Sequence, residues 1–354
     1  MKILLVCNRF LIEDGGSYTA VSELCYALNA KGIFTKIIHN NNNYNFIYRL
    51  KDYFSLVNNF DIVHIFGIWS PFINLFIFLA KKLKKKIIVS PIGYLEPWSL
   101  HQSKIKKKIA WYLYQKKALE KCDYIHVTSE NEFSSLEKLN LKNTNLIFLP
   151  HGKLNKIYSD IEILEKNKKN KVMLFFSRIH KKKGLLELVE AWNVLKPQDW
   201  ELNIIGPVSD LHYKKKVDKK IIEYDLNSVI YYSHPVYDSF SKNLKFKNSD
   251  IVVLPSRNEN FAFSVCEAMF ASRPVLCSTE TPWKELNKDE IGYCLDLNSK
   301  ENIILALKKI FNCNKNKLQE MGKKANDYIL RKYDLENVII YKYIELYKSL
   351  IKKK

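Results

Sequence analysis

Two glutamates with seven residues between them, Glu259 and Glu267, lie in the stretch VVLPSRNENFAFSVCEAMFASRP, Val252 to Pro274. Carboxylates accept hydrogen bonds and therefore suit a ligand rich in hydroxyls. Upstream, Ser177 to Gly184 reads SRIHKKKG. There Arg178 offers a planar fork for phosphate oxygens and Lys183 a point charge. A helix N-terminus beside the first glutamate adds free amides, which attract anions. Amides and cations for a diphosphate, one carboxylate for sugar hydroxyls and one for a ribose together describe a nucleotide-sugar site. Taken alone, each set also reads as ordinary solvated surface.

The elements that must position these residues can be read from the apolar pattern. Ile251 to Leu254 is a short apolar run, the signature of a buried parallel strand, and Pro255 and Ser256 stop it. Glu259 then falls on a loop at the carboxyl end of a strand, where open α/β sheets bind ligands. A helix is expected from about Phe261 to Arg273, with Val265, Ala268 and Met269 facing the core and Glu267 off that face. Similar runs predict strands at Ile3 to Cys7, Thr35 to His39, Asp61 to Phe66, Ile87 to Ser90, Tyr124 to Ser129 and Leu146 to Pro150. Two more fall at Val172 to Phe176 and Leu202 to Gly206. Gly15-Gly16 makes a tight turn after the first strand, without G-x-G-x-x-G. His64, inside a strand, reads as a core histidine. Residues 104–121, KIKKKIAWYLYQKKALEK, read as one basic amphipathic helix. Either its apolar face meets the core, or the helix docks on anionic lipid. Residues 151–170 lack periodicity and read as a linker.

The chain has 354 residues, 47% hydrophobic, enough for two domains with separate cores. Its longest apolar run, Phe72 to Ala80, is too short to span a bilayer, and its start is too short for a signal-peptide core. Seven cysteines without a C-x-x-C pair fit reduced thiols in the cytoplasm and argue against zinc. The net charge of +20 divides evenly, +10 in residues 1–160 and +10 in the remainder. No nucleic-acid-binding motif accompanies it, so nucleic acid is not the expected partner. Five lysines in residues 81–86 and four in 104–108, with Trp98, Trp111 and Tyr112 nearby, fit an anionic membrane surface instead.

The stretch around Glu259 and Glu267 resembles the Glu-x7-Glu motif of retaining glycosyltransferases of family 4, with Phe261, Glu267-Ala268-Met269 and Pro274-Val275 in their usual places. Ala262 replaces the usual glycine. SRIHKKKG is similar to the family's Gly-Arg-x-x-x-Lys-Gly element, with Ser177 for the first glycine and the lysine one position late. Pro91 to Trp98, PIGYLEPW, resembles the signature of a family subset in which many relatives carry histidine where this chain has Ile92. Ser233 to Val236 resembles a loop that contacts the base.

The resemblance covers nearly the whole chain and implies a fold, a division of labour and a reaction. The fold is α/β of the GT-B type, two Rossmann-like domains facing a cleft. Residues 1–160 would bind the acceptor and 161–335 the nucleotide sugar, with 336–354 a C-terminal helix crossing back to the first domain. Glu259, Arg178 and Lys183 would serve the reaction. Glu267, Asn260, Phe261, Ala262, Phe263, Gly16 and Val236 would hold the donor, and Gly15, Gly93, Tyr94 and Trp98 would lie on the acceptor side. No metal and no cofactor beyond the donor is implied. The reaction would move a hexosyl or N-acetylhexosaminyl group to a glycan, lipid-linked and at the inner face of the cell membrane, in bacterial surface-polysaccharide assembly. A GT-B epimerase of the sugar nucleotide and a binding-only subunit are the alternatives.

Overall fold

The structure is a computed structural model and describes residues 1–40, 50–142, 144–155, 170–288, 290–296 and 299–352. The expected linker falls mostly on 156–169, outside the described residues. Two compact units divide the chain: Met1–Leu154 with Tyr333–Lys354, and Asn155–Lys332.

The first unit is a six-stranded parallel sheet, β1 Lys2–Cys7, β2 Phe34–His39, β3 Ile62–Phe66, β4 Lys86–Ser90, β5 Tyr124–Val127 and β6 Asn145–Phe148. The strand order is β2-β1-β3-β4-β5-β6, so the winding reverses between β1 and β3. Ile3 to Cys7 are all buried, because helices cover both faces of a parallel sheet. The helix Gly16–Ala30 buries Val21, Leu24 and Leu28 against one face. The helix Ile340–Lys352 lies on that same face, burying Ile340, Tyr343, Tyr347 and Leu350. Its approach is close: a Cβ on Gly152 would lie 2.9 Å from the Leu335 Cα. The chain is tied there by Lys153 N–H to the Tyr333 carbonyl, 3.0 Å. A buried Lys153–Glu23 ion pair of 2.5 Å adds to it.

His64 is a core histidine, as its place in a strand implies, and it belongs to a buried chain of hydrogen bonds. Neutral rings give that chain one direction. His126 Nε2–H donates to the Leu149 carbonyl, 2.7 Å, so its Nδ1 accepts from the Ser90 hydroxyl, 2.6 Å. The Ser90 oxygen then accepts from His64 Nε2–H, 2.7 Å, and His64 Nδ1 accepts from the Tyr347 hydroxyl, 2.8 Å. The C-terminal helix is thereby fastened to β3, β4 and β5.

The basic segment departs from the expected single helix. It runs as α-helix Lys104–Ala110, a π-turn at Trp111–Gln115 and a last α-turn, Lys116–Leu119. The extra residue in the π-turn rotates the helix beyond it. Gln115 and Leu119 therefore point inward, whereas Ile105 and Tyr112 stay 76% and 69% exposed. The core-facing reading of this segment holds at Leu119 and is overturned at Ile105, Ile109, Tyr112 and Leu113, which are exposed. Trp111, read as an interface residue, packs instead against the core.

The second unit repeats the plan with β7 Lys171–Phe176, β8 Trp200–Ile205, β9 Ile230–Ser233, β10 Ile251–Leu254, β11 Val275–Ser278 and β12 Gly292–Leu295. The order β12-β11-β10-β7-β8-β9 reverses between β7 and β10. Alternate residues, Met173, Phe175, Leu202, Ile204, Ile251 and Val253, form one core face. Trp192, Trp200 and Phe311 pack beside them.

Burial lowers His64 well below the ordinary 6.5, with His126 and His151 adding to it. It also takes His126 to about 4, against a backbone hydrogen bond that raises it, and His151 to about 3. A histidine held neutral in the fold stabilises fully above its unfolded pKa of 6.5 and loses that stabilisation as pH falls below it. Melting temperature should therefore drop between pH 6.5 and 4.5. His126→Asn should make the stability–pH slope shallower by about one proton. A parallel slope in the variant would contradict a neutral buried His126.

Candidate functional site

In the second unit the loops after β7 and β10 meet at the reversal of strand order. After β7 the chain passes Ser177 and Arg178, makes a short 3-10 turn at Lys181–Lys183, and enters the helix Leu185–Leu195 through Gly184. A Cβ on Gly184 would lie 2.2 Å from the Pro255 carbonyl oxygen, so only glycine lets the loops approach this closely. The Arg257 amide then donates to the Lys182 carbonyl, 2.8 Å.

That contact brings the two sequence-derived charges together. Lys183 Nζ and Glu259 Oε1 form a buried ion pair, each residue 9% exposed. Burial pushes the Glu259 carboxyl up, but Lys183 and Lys182, and the hydrogen bond from Lys183, together hold it below the ordinary value. Glu259 is further fixed by its own amide, which donates to the Glu280 carbonyl, 3.0 Å. Arg178 lies exposed at the start of the same loop, ahead of the pair.

Beyond Glu259 the chain bends sharply. Ala262 is left-handed, φ 61°, a conformation that favours the glycine it replaces, and the helix begins at Phe263 rather than Phe261. Phe261 is anchored: its carbonyl accepts from Trp283 Nε1–H, 2.7 Å, and its ring lies 5.3 Å from the indole. Asn260 and Phe263 are half-buried on either side of this bend. Glu267 does not sit off the apolar face. It is 4% exposed in a helix buried throughout from Val265 to Phe270, and Lys242 of the neighbouring helix Ser239–Lys247 approaches it to 3.7 Å. Lys242 carried no signal in the sequence, being one lysine among several in SKNLKFK. Val236 is half-buried in the loop after β9.

The remaining predicted residues belong to the first unit. Gly15 caps the helix Gly16–Ala30 with φ 62°. Gly93 N–H donates to Glu132 Oε1, 2.5 Å, and Tyr94 is exposed beside it. Trp98 is half-buried in the helix Pro97–His101. Glu132, which sequence reasoning missed, is buried and also accepts from the Thr128 amide, 3.0 Å. Its burial outweighs those hydrogen bonds and pushes its carboxyl up to about 7, with Glu96 adding to the rise. Among the described residues no three His, Cys, Asp or Glu side chains are gathered into a metal-holding group.

The two parallel six-stranded sheets define the fold as that of the GT-B glycosyltransferases. Sucrose-phosphate synthase from Thermosynechococcus elongatus superposes with a TM-score of 0.78 at 16% identity, over 100% of both chains. Anabaena Alr3699/HepE in complex with UDP-glucose does so with 0.76 at 14%, over 99% of this chain and 100% of that one. Within that fold, residues 157–328 match the family described as Glycosyl transferases group 1. A 41.2 kDa protein in the cps region of Klebsiella pneumoniae is 25% identical over 304 residues, 82% of this chain and 80% of its own.

Removing one partner of a buried ion pair leaves the other charge uncompensated, at a cost of about 3–5 kcal/mol. Lys183→Met should therefore destabilise the second unit strongly, and Lys183→Met with Glu259→Gln should recover part of the loss. Urea unfolding followed by tryptophan fluorescence reads this order. A double variant less stable than the Lys183→Met single would contradict a mutually compensating pair.

Proposed function

We propose that the protein transfers a hexosyl or N-acetylhexosaminyl group from a nucleotide diphosphate sugar to a glycan hydroxyl, with retention of anomeric configuration. The observation that carries this reading is the buried Lys183–Glu259 pair beside the N-terminus of the helix Phe263–Phe270, with Glu267 on the same helix. Arg178 and Lys183 meet the diphosphate as the bond from the anomeric carbon to the phosphate oxygen breaks, and the first amides of the helix assist. Glu259 accepts hydrogen bonds from the donor sugar, and Glu267, steadied by Lys242, from the ribose. Asn260, Phe261, Ala262 and Phe263 shape the donor contact, and Val236 meets the base. Gly16 is assigned to the donor as well.

The acceptor oxygen bonds to the anomeric carbon on the face the phosphate leaves, and its proton passes to the departing phosphate oxygen. That route needs no side-chain base, consistent with Ile92, which can neither donate nor accept. It also needs no metal, since cations and amides carry the charge. Gly15, Gly93, Tyr94 and Trp98 form the acceptor side. The relative in a cps region supports a role in surface-polysaccharide assembly. The UDP-glucose complex of a structural neighbour supports a uridine nucleotide.

The acceptor is lipid-linked, and the first unit docks on the anionic inner face of the cell membrane. Among the described residues no helix is long and apolar enough to cross a bilayer. The exposed Ile105, Ile109, Tyr112 and Leu113 alternate with the exposed Lys104, Lys106 and Lys108, which suits insertion at a headgroup boundary. The lysines of 81–86 contribute less, because Lys81 and Lys85 donate to the Lys121 and Asn58 carbonyls and Lys86 pairs with Asp123 at 3.7 Å.

Glu267→Ala should weaken UDP binding by about 1–3 kcal/mol, read by calorimetry. Unchanged affinity would remove Glu267 from the donor site. Proton NMR of the glycoside formed from UDP-glucose and a membrane lipid extract tests the reaction, and an inverted anomer refutes the route above. Sedimentation with vesicles should show binding to phosphatidylglycerol but not to phosphatidylcholine alone. That binding should fall with salt and be lost when Lys104, Lys106 and Lys108 become Glu. Equal binding to both vesicles, or to neither, contradicts docking.

A further inference from the structure

The first unit has its own reversal point, between β1 and β3, and Gly15 and Gly16, assigned above, lie at the far end of the loop that leaves β1. Cys7 and Phe66 are register partners at the carboxyl ends of these strands, so Asn8 and the loop Gly67 to Ser70 emerge side by side. Open α/β sheets bind ligands at this position. Ser70 Oγ donates to Asn8 Oδ1, 2.6 Å, with both residues half-buried. That bond leaves the two hydrogens of the Asn8 amide and the lone pairs of the Ser70 oxygen for a ligand. The pair is neutral, and Arg9, next in the chain, is turned to Asp14 at 3.4 Å. Neutral donors and acceptors fit sugar hydroxyls; Lys107 Nζ, 6.0 Å from the centroid of the Trp69 ring, is turned to the Ser99 carbonyl at 2.6 Å. Tyr94 borders the same loop, its ring 3.6 Å from where a Cβ on Gly67 would be.

The loop is held in a form it would not adopt unaided. Trp69 has φ 74°, rare for a side chain of that bulk. Its amide donates to Gln115 Oε1, 2.9 Å, and its carbonyl accepts from the Tyr114 hydroxyl, 3.0 Å. Asn74 Nδ2 donates to the Ser70 carbonyl, 2.9 Å. Gln115 is fully buried, and its Nε2, with Asn74 Oδ1 and Trp69 Nε1, has no partner among the described residues. A buried polar side chain left half-satisfied opposes stability. Gln115 closes the π-turn Trp111–Gln115, a feature found often at functional sites.

We propose that Asn8 and Ser70 form a subsite for hydroxyls of the acceptor glycan, with Gln115 a positioning residue that fixes the Ser70 loop. Its assignment to the acceptor rests on the transferase reading. The test uses the full chain, saturation-transfer NMR and the methyl glycosides of glucose, galactose, mannose and N-acetylglucosamine as probes. The unmodified protein should bind at least one. Asn8→Ala and Ser70→Ala should each weaken that binding about tenfold or more, with UDP affinity unchanged and the melting temperature lowered equally in both by loss of their shared hydrogen bond. Gln115→Leu should weaken it similarly, whereas Gln115→Glu, which keeps an acceptor for the Trp69 amide, should restore most of it. A wild type that binds none of the four glycosides, or Asn8 and Ser70 variants that bind within about twofold of it, overturns the subsite. Equal effects of Leu and Glu at 115 overturn the positioning role. Glycoside binding lost in the Asn8 and Ser70 variants while the wild type fails to bind UDP would support the subsite and refute the donor reading instead.

Discussion

A parallel sheet wound outward from its first strand must reverse direction once to grow on both sides. At that reversal the loops leaving two adjacent strands run to opposite faces and open a crevice. Each unit here contains one such point, β1 against β3 and β7 against β10. Most of the polar chemistry described above hangs from the loops beside them. The second unit closes its crevice tightly, since Gly184 allows the Pro255 carbonyl to sit where a side chain would be. Only that approach brings Lys183 and Glu259, 76 residues apart, into contact.

The two reversal points differ in electrostatic character, and under the function proposed above that difference divides their work. A buried cation and carboxylate are costly to desolvate and are kept where their charge is used. Lys183 and Glu259 satisfy each other a few residues ahead of the first amides of the helix Phe263–Phe270, the arrangement on which the proposed donor site rests. The first unit offers amide and hydroxyl groups without net charge. Such groups discriminate through hydrogen-bond geometry rather than through field strength. One reversal point thus suits a phosphate-bearing ligand and the other a neutral polyol.

Much of this was legible in the sequence because its cause is local. Ile3 to Cys7 and Ile251 to Leu254 read as buried strands since every residue in them is apolar. The lysines after β7 and the glutamate after β10 could be placed on loops once the strands were known. What escaped depends on contacts across the fold. Glu267 read as an outward residue because helical spacing cannot reveal Lys242 from another helix. The π-turn at Trp111–Gln115 has no propensity signal, yet it changes the facing of the residues that follow it. Glu132 carried no local signal, because its carboxylate is marked only by the Gly93 amide, which donates to it from another loop. The chain joining Tyr347, His64, Ser90 and His126 gathers four elements far apart in sequence, so only His64's place in a strand hinted at it.

Three residues in the left-handed region lie on the loops that carry the candidate chemistry. Trp69 and Ile92 have φ of 74° and 49° directly after β3 and β4, and Ala262 has φ 61° after β10. A left-handed conformation in a bulky or β-branched residue costs on the order of 1–3 kcal/mol. At each of these loops the surroundings impose it. The Trp69 backbone is clasped by Gln115 and Tyr114. Gly93, next to Ile92, is bound by Glu132, and Phe261, next to Ala262, is bound by Trp283. Glycine at these positions would relieve the strain but would also let the loops move in the absence of ligand. A side chain held in a strained conformation by buried hydrogen bonds gives a loop one shape, and a group set to bind sugar hydroxyls loses less entropy when the loop is already ordered. Rigidity at the carboxyl ends of the strands is therefore built from tertiary contacts that overrule local preference. For that reason the loops that carry the candidate chemistry are the part of the fold that local sequence describes least well.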